Sequence, residues 1–318
     1  HQRSLLVMPI FLLACLWTSE KRFGDTGSDD GRIIYHSVLN QPEDLLAMPG
    51  RIFVTSRDQK VRVFDVARRD APILENTIEL ETEPKGIFNY GDRLFVATTL
   101  GLEVRDLNTL AITHKWDTTD PIIDAAWRPG ETSAVLALRT SPPTIIEIEF
   151  GNGTLIPIKE WPIELSPTIQ RIACSPDGVA FTTEDGALHH IDLNSGALVT
   201  EPSISPTDIF DVHITDSQFI LHATGDNGLK SYDSQLDLRS NWPPLGEARA
   251  VHSLDTTVYV ASSEQLSILS MDQAGVLTEI MEISLNRTEK PTDVVVDRGF
   301  AYLIDSERGF FSIVDVLR

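Results

Sequence analysis

Cysteine is nearly absent, with two residues in 318. Two thiols cannot staple a chain of this length, so its core has to rest on apolar burial and not on a disulfide framework. Cys174, within the apolar run Ile172-Ala173-Cys174, reads as a small buried hydrophobe. Basic residues are also scarce: 26 Lys and Arg stand against 47 Asp and Glu, a formal charge of -21 at pH 7. Nucleic-acid binding and adsorption to an anionic bilayer both depend on Lys and Arg, so the composition disfavours both. Solubility through self-repulsion is the plain reading of the excess charge. No stretch carries the 3.6-residue apolar period of an amphipathic helix. Catalytic signatures are missing as well: there is no Gly-x-Ser-x-Gly, no His-Glu-x-x-His and no Gly-rich phosphate loop opening a helix. Thr224-Gly225-Asp226-Asn227-Gly228 lacks EF-hand spacing and reads as a hairpin turn.

One apolar run stands apart. Ser4 to Ala14 is too short to span a bilayer, which takes about 20 apolar residues, and it follows Arg3, as the core of an export signal does. It ends in Leu12-Leu13-Ala14-Cys15, which resembles the bacterial lipobox. The resemblance implies a signal peptide over 1–14, cleavage before Cys15 and lipidation of that residue. Acyl chains on Cys15 would anchor the protein, each buried methylene contributing about 0.8 kcal/mol. The polar Gly-, Ser- and Asp-rich stretch that follows makes 15–30 a lipidated, flexible tether, and 31–318 the folded unit. These features place the protein at the bacterial cell envelope, on the outer membrane, in the periplasm or at the cell surface.

From residue 42 onward one phrase recurs about every forty residues. A Pro or Thr and a polar residue lead into an apolar strand; a turn and further strands follow, the third ending in an acidic residue. Units begin near Pro42, Glu83, Pro121, Ser166, Thr207, Glu247 and Lys290. The acidic mark is Asp65, Asp106, Glu147, Asp192, Asp233 and Asp315, with Ser270 in the sixth unit. An Asp there can bond the backbone N–H groups of the next turn. Repeats of this period mean a propeller, solenoid or array. The last unit stops after Phe311–Val316, one strand short, while Arg32–Val38 precedes the first unit and belongs to none. Pairing the two closes a ring and protects its edges. The expected fold is all-β: a seven-bladed β-propeller closed by the N-terminal strand.

The phrases resemble the LVIVD-type repeat of exported propellers and their YncE-like relatives. The resemblance rests on Asp293-Val294-Val295-Val296, Ala301–Asp305 and Phe311–Val316, with further copies over 52–72 and 86–107. Gly-His and Trp-Asp signatures of the WD40 type do not recur at the repeat period. The family implies an exported propeller with no generally assigned enzymatic activity.

Aligning the units brings Asp44, Gly86, Asp124, Arg171, Asp211, Ala250 and Asp293 to one position before each inner strand. In a propeller that position rings one mouth of the central channel. Asp44, Asp124, Arg171, Asp211 and Asp293 are therefore the candidate binding residues, and four carboxylates could hold Ca²⁺ through oxygen ligands. The plainer role for each Asp is to cap its own strand. His213 and His252 occupy equivalent places in neighbouring units, yet equivalent side chains are expected to point the same way round the ring and not at each other. Asn152-Gly153-Thr154 and Asn286-Arg287-Thr288 read as chance glycosylation sequons. No catalytic residue and no cofactor is identified, Ca²⁺ being the one candidate. The expected protein is a monomeric, non-enzymatic module binding a protein or an envelope polymer. The alternative is a metal-dependent, lactonase-like hydrolase or a ligand or cation sensor working at the acidic mouth.

Overall fold

Alternating apolar residues separated by Gly, Asp and Ser turns give every unit four short antiparallel strands. The computed structural model describes residues 32–151, 153–164, 168–202, 211–243, 246–285 and 290–317. The signal segment, Cys15 and the tether lie outside the described residues, as do Ser166, Thr207, Asn152 and Asn286. Twenty-eight strands form seven four-stranded sheets, and the described residues contain no helix. Blade one is Pro42–Met48, Arg51–Ser56, Lys60–Asp65 and Ile73–Glu79, ordered from the channel outward.

Blade seven supplies the closure that the repeat count demands. Its strands Asp293–Asp297, Phe300–Asp305 and Phe310–Asp315 are completed by Ile33–Val38, with Ile33 opposite Val314 and Val38 opposite Phe310. Backbone bonds at both ends fix the register: Asp315 N–H to the Arg32 carbonyl at 2.9 Å, and Leu39 N–H to the Gly309 carbonyl at 2.6 Å. Gly309 has φ of 74°, and a Cβ there would collide with the Leu39 carbonyl oxygen, so this position needs glycine.

The core is divided among the seven blade junctions, each holding its own apolar cluster. At the closing junction Phe311 stacks on Phe64 at 5.3 Å and meets Tyr35 edge-on at 5.9 Å. Between blades three and four, Phe181, Ile172 and Cys174 pack on Ile145 and Trp161, so Cys174 is the buried hydrophobe expected.

The acidic mark behaves as expected in five blades. Asp65, Asp106, Asp192, Asp233 and Asp315 each accept backbone N–H groups of the following turn, at 2.7–3.1 Å. Two places differ. Glu147 lies within Thr144–Gly151 and takes bonds from Arg128 and Ser133, at 2.8 and 2.6 Å. In blade six the turn is held by Asp272, through Ala274 and Val276 N–H, and not at Ser270.

Candidate functional site

The sequence-aligned ring positions converge on one space. Asp44, Asp124, Arg171, Asp211 and Asp293 all line a cavity of about 460 Å³ in the central channel. Local backbone geometry helps aim Asp44, Asp124 and Arg171 there. In blades one to four and six the pairing of the first two strands slips at the residue just before the ring position, between Pro42 and Asp44 and at its four equivalents. Such a bulge turns the next side chain out of the sheet's alternation.

Each ring carboxylate spans a junction. Asp44 accepts its own Leu45 N–H at 2.8 Å and the next blade's Ile87 N–H at 2.8 Å. Asp124 does the same with Ala125 at 2.9 Å and Ile172 at 2.8 Å. Asp211 takes Val212 and Val251, both at 2.9 Å, and Asp293 reaches Leu45 of blade one at 2.9 Å. The capping role expected of each Asp is present, with a second oxygen committed to the neighbouring blade. Asp therefore clasps four of the seven junctions, and blades two, four and six carry Gly86, Arg171 and Ala250 at the same place. At Gly86 a Cβ would approach the Ala125 carbonyl oxygen to 3.0 Å, leaving little room for a side chain.

Seven is odd, so the alternation brings Asp293 and Asp44 side by side across the closing junction. Burial, followed by the charge of Asp293, raises Asp44 well above the usual carboxylate range. Burial likewise pushes Asp124 and Asp211 up to about 7 and Asp293 up to about 6, each partly opposed by Arg171. Arg171 experiences the converse: burial disfavours its charge, but the four surrounding carboxylates hold it firmly protonated. Ion pairs flank this end of the channel: Glu43 with Arg57, Glu83 with Lys85 at 2.7 Å, and Arg249 with Glu247 and Glu307 at 2.9 Å each.

Deeper in, the wall carries residues that alignment alone did not bring together. His213 and His252 face the same cavity with ring centroids 5.3 Å apart, contrary to the expectation that they would not meet. Inner strands converge near a propeller axis, so equivalent side chains two residues past the ring become neighbours. Burial pushes His213 down to about 3 and His252 to about 4, leaving both neutral at pH 7. His222 is buried one strand outward, opposite Lys230, and is not among the cavity-lining residues. The remaining wall is aromatic: Phe88 and Trp127 line the cavity, and half-exposed Tyr90 stacks on Trp127 at 4.7 Å. Phe88 and Trp127 lie on the inner strands Pro84–Tyr90 and Ile122–Trp127, and the sequence carried no signal that they share a wall. Among the described residues no three His, Cys, Asp or Glu side chains gather into a metal-ligating group.

This architecture defines a seven-bladed β-propeller, WD40-like in fold. The chain is similar to the WD40 repeats of RRP9, with a TM-score of 0.73 at 9% identity over 92% of this chain and 99% of that one. U3-55K superposes with a TM-score of 0.71 at 10% identity, over 91% and 100%. The Swd1 β-propeller domain of Myceliophteria thermophila gives 0.68 at 14% identity, over 89% and 99%. At these identities the likeness is one of fold. No family model and no curated protein matches the chain.

Proposed function

We propose that the protein is an exported, lipid-anchored propeller of LVIVD or YncE-like type that acts as a non-enzymatic binding module for a protein or envelope partner. The observation that carries the binding reading is apolar exposure on the outermost strands. Ile73, Leu74, Ile112, Ile156, Ile158, Leu198, Leu238 and Ile280 are all exposed, Ile73 at 66%. Ile73, Ile112, Leu198 and Leu238 pair with the last or next-to-last residue of their third strands, which puts them on one rim. Aliphatic residues repeated along one rim of outer edge strands suit a partner's surface better than water. The lipobox-like Leu12–Cys15 and the polar stretch after it support the anchor.

Photo-crosslinking in cells, from probes at Ile112 and Leu238 on the rim and at Asp58 on a second-to-third-strand turn, tests the surface. Adducts confined to the rim positions are expected; adducts at Asp58 and none at the rim would overturn the reading. Cys15→Ser should move the protein from the membrane to the soluble fraction. Membrane retention of that variant would refute lipid anchoring.

A sensor reading of the channel is the second reading, favoured by the cavity of about 460 Å³ that the ring carboxylates and Arg171 line. It is sharpened below.

A further inference from the structure

The channel cavity carries needs that the protein itself does not meet. Four carboxylates and one guanidinium face it, so the fully ionised ring would hold three negative charges in excess. Partly buried charge in such excess favours bound protons or a counter-cation. Each carboxylate, after accepting its backbone bonds, keeps free lone pairs. Arg171 has the opposite need. Partly exposed to the cavity among the four Asp residues that attract its charge, it makes no hydrogen bond or salt bridge to any described residue, so its N–H donors are open to whatever fills the channel. His252 also lines the cavity without a hydrogen-bond partner among the described residues, and as a neutral imidazole it offers a lone pair.

A bare cation would answer the carboxylates and leave Arg171 unserved. A bare anion would do the reverse, against the net charge of the ring. A ligand bearing both groups satisfies each side.

We propose that the channel binds a free basic amino acid, with its carboxylate on Arg171, its α-ammonium among the ring carboxylates and its cationic side chain reaching toward Trp127. The planar guanidinium fork matches a carboxylate through two parallel bonds. The aromatic faces of Trp127 and Phe88 attract a guanidinium or ammonium group, while His213 and His252 accept its N–H groups. Dimensions agree. The lining runs from Thr292, one residue before the ring, to Trp127, three residues past it. Four strand steps of about 3.3 Å give about 13 Å, room for an extended side chain of this kind. Two positive groups against one carboxylate also reduce the excess charge of the filled site. The formal charge of -21 steers such ligands toward the protein. This inference sharpens the sensor reading and is independent of the outer rim, whose crosslinking would be unaffected by its failure.

Titration calorimetry on the purified protein tests it with L-arginine, agmatine, which lacks the carboxylate, and Nα-acetyl-L-arginine, which lacks the ammonium charge. Saturable one-to-one binding of L-arginine is expected, each analogue binding at least about tenfold more weakly, the weight of one lost charge-assisted contact. In Arg171→Met the difference between L-arginine and agmatine should vanish. Trp127→Leu, which leaves the ring intact, should weaken L-arginine binding. Absence of saturable binding by L-arginine or L-lysine into the millimolar range would overturn the proposal. Agmatine binding as tightly as L-arginine would refute the clamp on Arg171, and equal binding of the acetylated analogue would refute the ammonium contact.

Discussion

Replacing Asp124 by Ala isolates what one junction clasp contributes. Asp124 is 7% exposed and holds Ala125 N–H at 2.9 Å and Ile172 N–H, across the junction, at 2.8 Å. Alanine strands both donors, and a buried unpaired donor costs about 1–3 kcal/mol, so a loss of about 2–6 kcal/mol is expected near pH 6. The loss should shrink as pH rises. Asp124 has a folded pKa of about 7, above its ordinary 3.8, so the stability it contributes is full below about pH 4 and is lost as pH rises through about 7. Between pH 6 and pH 8 that loss comes to about 1.4 kcal/mol, a factor of ten. The pH profile of the wild type alone does not isolate this effect. His213, His222 and His252 are held neutral with lowered pKa values, so their contribution is lost as pH falls below about 6.5, in the opposite sense. The difference between Asp124→Ala and wild type removes the histidines from the comparison. Urea unfolding of both proteins at pH 6 and pH 8, followed by tryptophan fluorescence, measures it. A penalty that is constant or grows with pH would refute the reasoning.

Arg171→Met removes the cation that lowers Asp124 and Asp211, so their folded pKa values should rise further. Stability should then fall more steeply between pH 6 and pH 8 than in wild type; an equal slope in urea midpoints would count against the ring electrostatics. Phe311→Ala should cost about 3–5 kcal/mol, because Phe311 is fully buried between Phe64 and Tyr35 where the ring closes. Calorimetric melting checks this, and a loss below about 1 kcal/mol would refute the packing contribution assigned to the closing junction. Thr182→Val should stabilise by about 1 kcal/mol, since the Thr182 hydroxyl is buried without a hydrogen-bond partner among the described residues and valine keeps its shape. A lower melting temperature would show that the hydroxyl is satisfied after all.

The sequence by itself determined the ring. A forty-residue phrase read seven times, with one strand missing at the end and one spare at the start, leaves closure as the solution that protects the edges, and Ile33–Val38 does pair with Phe310–Asp315. Because repeats put equivalent residues in equivalent places, alignment also placed Asp44, Asp124, Arg171, Asp211 and Asp293 on one circle. Turn chemistry was legible wherever it was local, as at Asp106 and Asp192, and less so where it slid by two residues to Asp272. Tertiary structure decided what lies across a junction. No local pattern records that the second oxygen of Asp124 reaches Ile172, 48 residues on, or that His213 and His252 meet. Those contacts depend on how closely seven inner strands approach a common axis, helped at Asp44, Asp124 and Arg171 by a bulge just before each. The same convergence packs four carboxylates around one guanidinium. Burial then raises their pKa values, which no count of charges along the chain could reveal.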